Sequence, residues 1–151
     1  MENPGTIVGN LLVGLPVILV CLVIQVSFAY WCLRYYGRHS APAGRRGRFP
    51  GIRNLLGVML IVMLGTVVQV ALWGLLFVLL GEFDQLYDAV YHSAVNFASL
   101  GYGDIVMSDR WKLLGPLEAL CGVLMLGMNA AVLMAIMQHI LKSQHRVSPL
   151  D

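Results

Sequence analysis

The residues best placed to do chemistry are Ser99-Leu100-Gly101-Tyr102-Gly103-Asp104, a short string with two glycines spaced one residue apart. Its chemistry would be carried by the backbone. A dehydrated cation needs a cage of oxygens, and successive carbonyls of one segment point the same way only if the backbone alternates between right- and left-handed φ. Gly101 and Gly103 supply that freedom, because glycine adopts positive φ at little cost. Ser99, Leu100, Gly101 and Tyr102 can each present a carbonyl, and Ser99 adds a hydroxyl. The sequence shows no Ser/His/Asp set, no metal-ligand spacing and no phosphate-binding loop, so it does not read as an enzyme and calls for no cofactor. Cys21, Cys32 and Cys121 all fall within apolar runs and read as small buried hydrophobes.

The elements that must position this string are membrane helices. Of 151 residues, 58% are hydrophobic and only 12% charged, with a mean hydropathy of +0.75. Soluble domains carry about 25% charged residues, so a water-soluble globule is excluded. A net charge of +2 gives no reason to expect nucleic acid as a partner. Three apolar stretches, 6–33, 55–80 and 113–141, each exceed the roughly 20 residues needed to cross a bilayer. The first has no Lys or Arg before Arg34 and so does not read as a cleaved signal peptide. Between the first two stretches lie Arg34, Arg38, Arg45, Arg46, Arg48 and Arg53 with no acid, whereas Glu82, Asp84, Asp88, Asp104 and Asp109 dominate the segment before the third. Positive loops stay cytoplasmic. This predicts a multi-pass cell-membrane protein with its N-terminus outside, its C-terminus inside and the bilayer as its surroundings. The Arg cluster reads first as a topology signal that touches anionic lipid.

A fourth apolar stretch, 86–100, is too short to cross and contains Asp88, His92, Ser93 and Asn96. The charge pattern requires both its ends outside, so it should enter the membrane and return. Asp84 is placed to cap a short helix running from Leu86 to about Ala98. Non-helical backbone at membrane depth survives only when it is buried in protein or lines a wet cavity.

In this setting, behind a short polar-tinged helix and between two crossing helices, the 99–104 string resembles the selectivity filter of tetrameric potassium channels. Trp111 fits that family's habit of an aromatic where the inner helix begins. The resemblance spans about 55–141 and implies an all-α membrane protein with the potassium-channel pore fold: three transmembrane helices, a re-entrant pore helix and a filter loop. It divides the chain into an extra N-terminal helix (1–34), an Arg-rich cytoplasmic linker (35–54), a pore domain (55–141) and a short tail (142–151). It also implies K⁺ held by Ser99, Leu100, Gly101, Tyr102 and Gly103, in a homotetramer, because one loop supplies a quarter of the cage. Tyr102 would point away and brace the loop, and its aromatic character argues for K⁺ over Na⁺. Ser99 replaces the usual Thr, and Leu100 the usual Val, without loss of an oxygen.

The support behind the loop departs from the family. Two bulky aromatics are common in the middle of the pore helix, and here those positions read Tyr91-His92. With Asp104 and Glu118 these are the candidate supports. Glu118, buried in the third apolar stretch, must be protonated or hydrogen-bonded to the pore helix or filter backbone, unless it snorkels outward. His92 is either a pH-sensitive brace or a neutral histidine bonded to Tyr102 or to backbone. Gly122 and Gly127 are candidates for a hinge or for close packing, and Asn129 is expected to face a wet cavity. The first helix lacks the repeated cations of a voltage sensor and reads as peripheral packing. Two rival functions remain open in the sequence: a non-conducting accessory subunit of another channel, and a small transporter with a re-entrant loop.

Overall fold

The computed structural model describes residues 4–39 and 48–145. Its elements are all helical: α1 (Pro4–His39), α2 (Arg48–Leu79), α3 (Leu86–Phe97) and α4 (Leu114–His145). Three of them, over Gly5–His39, Arg53–Leu79 and Leu114–Lys142, are long and apolar enough to cross a membrane. The all-α, three-helix membrane architecture expected from the apolar stretches is therefore the one observed. The helices overrun those stretches, however. α1 continues through Arg34 to His39, where Arg38 and His39 sit beside the negative end of the helix dipole. α2 begins at Arg48, with Pro50 in its first turn, where a missing N–H costs nothing. Much of the segment assigned to a linker is thus helix, and Arg45 and Arg46 lie outside the described residues.

α3 starts where the sequence placed it but is not capped by Asp84. Gln85, extended at φ −110°, ψ 131°, takes the N-cap position and makes no side-chain cap bond. Asp88 instead lies within the first turn, where a carboxylate favours the dipole. The short helix is seated between α2 and α4 by two close approaches. A Cβ on Gly74 would meet the Val90 Cα at 3.0 Å, and one on Gly122 would meet the Phe97 Cα at 3.0 Å. Only glycine lets the backbones come so near. Around α3 the core gathers Trp73 and Phe77 from α2, Ala89 and Phe97 from α3, Leu114, Cys121 and Met125 from α4, and Cys21 from α1. A second small core of Cys32, Val58 and Ile136 closes the other end of the helices. All three cysteines are buried and free.

α1 lies on α2 and α4 and leaves Leu12, Leu19, Val23 and Val26 exposed along its outer face. Its attachment is polar as well as apolar. Gln69 Nε2 donates to Gln25 Oε1 at 2.9 Å, Gln25 Nε2 donates to Asn129 Oδ1 at 2.6 Å, and Asn129 Nδ2 reaches Thr66 Oγ1 at 3.5 Å. Thr66 in turn donates to the Val62 carbonyl. This buried chain joins α1, α2 and α4, each link donating to the next. At the far end of α1, the buried Asn10 donates to the Arg110 carbonyl at 2.7 Å.

Candidate functional site

α3 ends in a motif that launches the 99–104 loop. Ser99 N–H bonds the Asn96 carbonyl at 2.8 Å and Leu100 N–H bonds the Val95 carbonyl at 2.9 Å. This is the paired closure of a helix whose next residue is left-handed. That residue is Ser99, at φ +56°, the one non-glycine with positive φ among the described residues. Gly101 follows at φ +61° and Gly103 at φ +70°. Positive φ therefore recurs at every second residue, the alternation needed to turn consecutive carbonyls to one side. The sequence pointed to the two glycines as left-handed positions and to Ser99 only for its oxygens, because the left-handed turn at Ser99 is set by how the helix ends.

On a single chain Ser99, Leu100, Gly101, Tyr102, Gly103 and Asp104 are all exposed, with Tyr102 at 66%. Tyr102 was expected to brace the loop against α3. Within one chain the tie is made by Tyr91 instead, whose hydroxyl donates to Asp104 Oδ2 at 2.7 Å. This bond holds the Asp104 carboxyl below the usual carboxylate range and pushes the Tyr91 phenol up. The spacing explains the exchange. Tyr91 lies two turns before the end of α3, level with the loop as it turns back past Gly103.

His92 forms the second tie. Its Nδ1 faces the Ile105 carbonyl at 3.0 Å and its Nε2 faces Asn96 Nδ2 at 2.9 Å. A carbonyl only accepts and an amide nitrogen only donates, so Nδ1 carries the hydrogen and Nε2 is the acceptor. The ring is neutral, with both nitrogens used, and burial lowers its pKa. Phe77 and Phe83 pack against it with ring centroids at 5.6 and 5.1 Å. Aromatic packing on His92 thus comes from α2 and the turn after it. Phe77 carries a sequence signal, standing four residues after Trp73 on one face of α2.

Glu118, just over a turn into α4, is fully buried. Its Oε1 lies 2.5 Å from Ser93 Oγ, which also faces the Val70 carbonyl at 2.8 Å. The serine has one hydrogen for two oxygens. Both contacts are hydrogen bonds only when the carboxyl brings its own proton, with Glu118 donating to Ser93 and Ser93 to Val70. The arrangement spans α4, α3 and α2 at the middle of the short helix, and Glu118 does not snorkel.

The two inner-helix glycines differ. Gly122 abuts the Phe97 backbone directly behind the loop, whereas a Cβ on Gly127 meets nothing within 4 Å. Asn129 was expected on a wet cavity. It is buried against α1 and α2 in the Gln25 chain, because Gln25 and Thr66 offer it the polar partners that a lipid-facing or water-facing position would otherwise have to supply. Glu82 was read only as part of the acidic segment. Both its carboxyl oxygens accept from Ser108, from the backbone N–H and the hydroxyl, each at 2.7 Å, fastening the segment between the loop and α4 to the end of α2. No sequence spacing marks that pair, which lies 26 residues apart. Among the described residues no cluster of His, Cys, Asp and Glu could hold a metal ion.

A family model described as an ion channel matches residues 56–139. Neither a curated protein nor a solved structure matches the chain. The family match covers more than half of the 151 residues and takes in α2 from its third turn, α3, the loop and nearly all of α4, so the chain belongs to this ion channel family.

Proposed function

We propose that this member of the ion channel family is one subunit of a homotetrameric, K⁺-selective channel, with α3 as a re-entrant pore helix and 99–103 as its filter. The observation that carries the reading is the alternation of left-handed backbone at Ser99, Gly101 and Gly103 in a loop whose oxygens find no cage within one chain. Four copies about an axis would complete that cage with the carbonyls of Ser99, Leu100, Gly101 and Tyr102. The C-terminal end of α3 would direct its partial negative charge toward the ion path, favouring a cation there. The 91–104 and 92–105 contacts fix the loop from behind and the 93–118 contact fixes the helix that launches it, so the oxygens stay spaced for a bare ion rather than collapsing around it. In this arrangement the acidic segment 82–109 faces outside and the Arg-rich segment inside, with the N-terminus outside and the C-terminus cytoplasmic.

The test is flux from the purified chain in liposomes. K⁺ should pass and Na⁺ should not. Gly101→Ala and Gly103→Ala should abolish K⁺ flux with membrane insertion unchanged, because an alanine at positive φ costs about 1–2 kcal/mol per subunit and turns the carbonyl. Tyr102→Asp should admit Na⁺. Wild-type flux and selectivity in all three variants would remove the filter reading. A purified chain that conducts nothing alone but restores flux to a partner channel would make it an accessory subunit.

A further inference from the structure

A groove with a volume of ≈ 430 Å³ opens between α1 and α2 near the C-terminal end of α1. Arg34 and Arg38, one turn apart, line one side of it with His39. Tyr30 and Trp31 extend the wall toward the middle of α1, and Ile61 of α2 forms the floor. The wall is braced. Arg34 Nη1 bonds the Tyr30 hydroxyl at 3.3 Å, and the Tyr35 ring stacks on His39 with centroids 4.4 Å apart. Tyr35 also lies so close over Gly57 that any side chain there would collide with its ring.

The depth of the groove follows from helix length. The apolar span Gly5–His39 has 35 residues and is about 52 Å long, against a hydrocarbon core of about 30 Å. The excess is taken up by tilt and by emerging ends, and Arg34, Arg38 and His39 draw the C-terminal end of α1 into the headgroup layer, where Tyr and Trp prefer to sit. Ile61, more than two turns into α2, lies deeper, on the acyl side. The groove is thus cationic at headgroup depth and apolar below. No acidic residue occurs between Glu2 and Glu82, so neither α1 nor α2 supplies a carboxylate to neutralise the two guanidiniums.

We propose that this groove binds an anionic phospholipid, its phosphate held between Arg34 and Arg38 and one acyl chain lying over Trp31 and Ile61. A guanidinium meets two phosphate oxygens at once, and two of them one helical turn apart can clasp a phosphate from both sides. A zwitterionic lipid carries its own cation to the same place and loses most of that attraction. The site is built within one subunit. It requires α1 and α2 to cross the bilayer but does not require the 99–104 loop to be a filter.

Native mass spectrometry of the full-length protein in detergent, titrated with dioleoylphosphatidylglycerol or dioleoylphosphatidylcholine, tests it. The wild type should retain the phosphatidylglycerol in preference. Arg34→Gln or Arg38→Gln should weaken that binding about fivefold and the double variant about thirtyfold, while Arg53→Gln, outside the groove, should change it little. Ile61→Trp keeps every charge but fills the floor, and should also weaken binding, with unchanged helix content by circular dichroism. Equal retention of the two lipids overturns the proposal. So does wild-type binding in the double Gln variant or in Ile61→Trp, an Arg53→Gln loss as large as that of Arg34→Gln, or displacement by millimolar inorganic phosphate alone. Ion flux measured on the same preparations separates this proposal from the pore reading, since lost selectivity with intact lipid binding counts only against the filter.

Discussion

Gly122→Ala places a methyl group against the end of α3. The new Cβ would stand 2.8 Å from the carbonyl carbon of Phe97 and 3.0 Å from its Cα, and closer still to the carbonyl oxygen. Carbon atoms in good contact are about 3.5–4.0 Å apart, so the two backbones must separate by roughly half an ångström or more. No flexible side chain can absorb this, because both partners are helix backbone. Alanine gains about 1 kcal/mol of helix propensity over glycine, while overpacking of this kind costs about 1–3 kcal/mol. With backbone on both sides the upper end applies, leaving a net loss of about 2 kcal/mol. Phe97 is two residues from Ser99, so the displacement passes straight into the left-handed turn that launches the loop. The expected result is an apparent melting temperature lower by roughly 4–8 °C, with reduced K⁺/Na⁺ discrimination in liposome flux. Gly127→Ala is the control. Nothing lies within 4 Å of its Cβ, so its stability should equal or exceed the wild type, and any change in flux would report helix bending. A Gly122→Ala protein as stable and selective as the wild type, or a Gly127→Ala protein equally destabilised, would refute the packing argument.

Glu118→Gln should preserve most of the flux, because its amide can keep a hydrogen bond to Ser93, whereas Glu118→Leu should cost about 1–3 kcal/mol and show faster inactivation or weaker selectivity with helix content unchanged. Ser99→Thr should destabilise by about 1 kcal/mol in thermal unfolding, because a β-branched side chain resists φ +56°; Ser99→Gly should not. For pH, the folded His92 has a lowered pKa because burial disfavours its charged form. Its contribution to stability is therefore present above the ordinary imidazole value of about 6.5 and lost as pH falls below it. Thermal unfolding should show a loss between pH 7.5 and 5 that shrinks in His92→Gln. Asp104, held below the usual carboxylate range by Tyr91, stays charged throughout that window. Gln25→Leu breaks two buried hydrogen bonds at about 0.6 kcal/mol each, and a loss of roughly 1 kcal/mol in unfolding is expected; an unchanged transition would mean the apolar contacts alone hold α1.

What the amino-acid sequence by itself determined are the features that depend on runs and on local backbone chemistry. Three long apolar stretches can only be helices in lipid, because every backbone group must be satisfied within its own segment. The short stretch from Leu86 announces itself by being too brief to cross, and Gly101 and Gly103 mark where left-handed backbone is needed. Their roles belong to the chain's own covalent geometry and can be read without neighbours. The tertiary structure decided everything that depends on which faces meet. Asn129 turns to Gln25 rather than to water, and within one chain the tie to the loop runs from Tyr91 to Asp104. Phe77 of α2 and Phe83 of the turn after it pack against His92 of the short helix, and Glu82 fastens Ser108 from 26 residues away. α2 and α4 are apolar nearly all round, so periodicity cannot say which side faces protein and which faces lipid. In a membrane, apolar residues are equally at home on either side, and it is the few buried polar groups and close glycine contacts that select the packing.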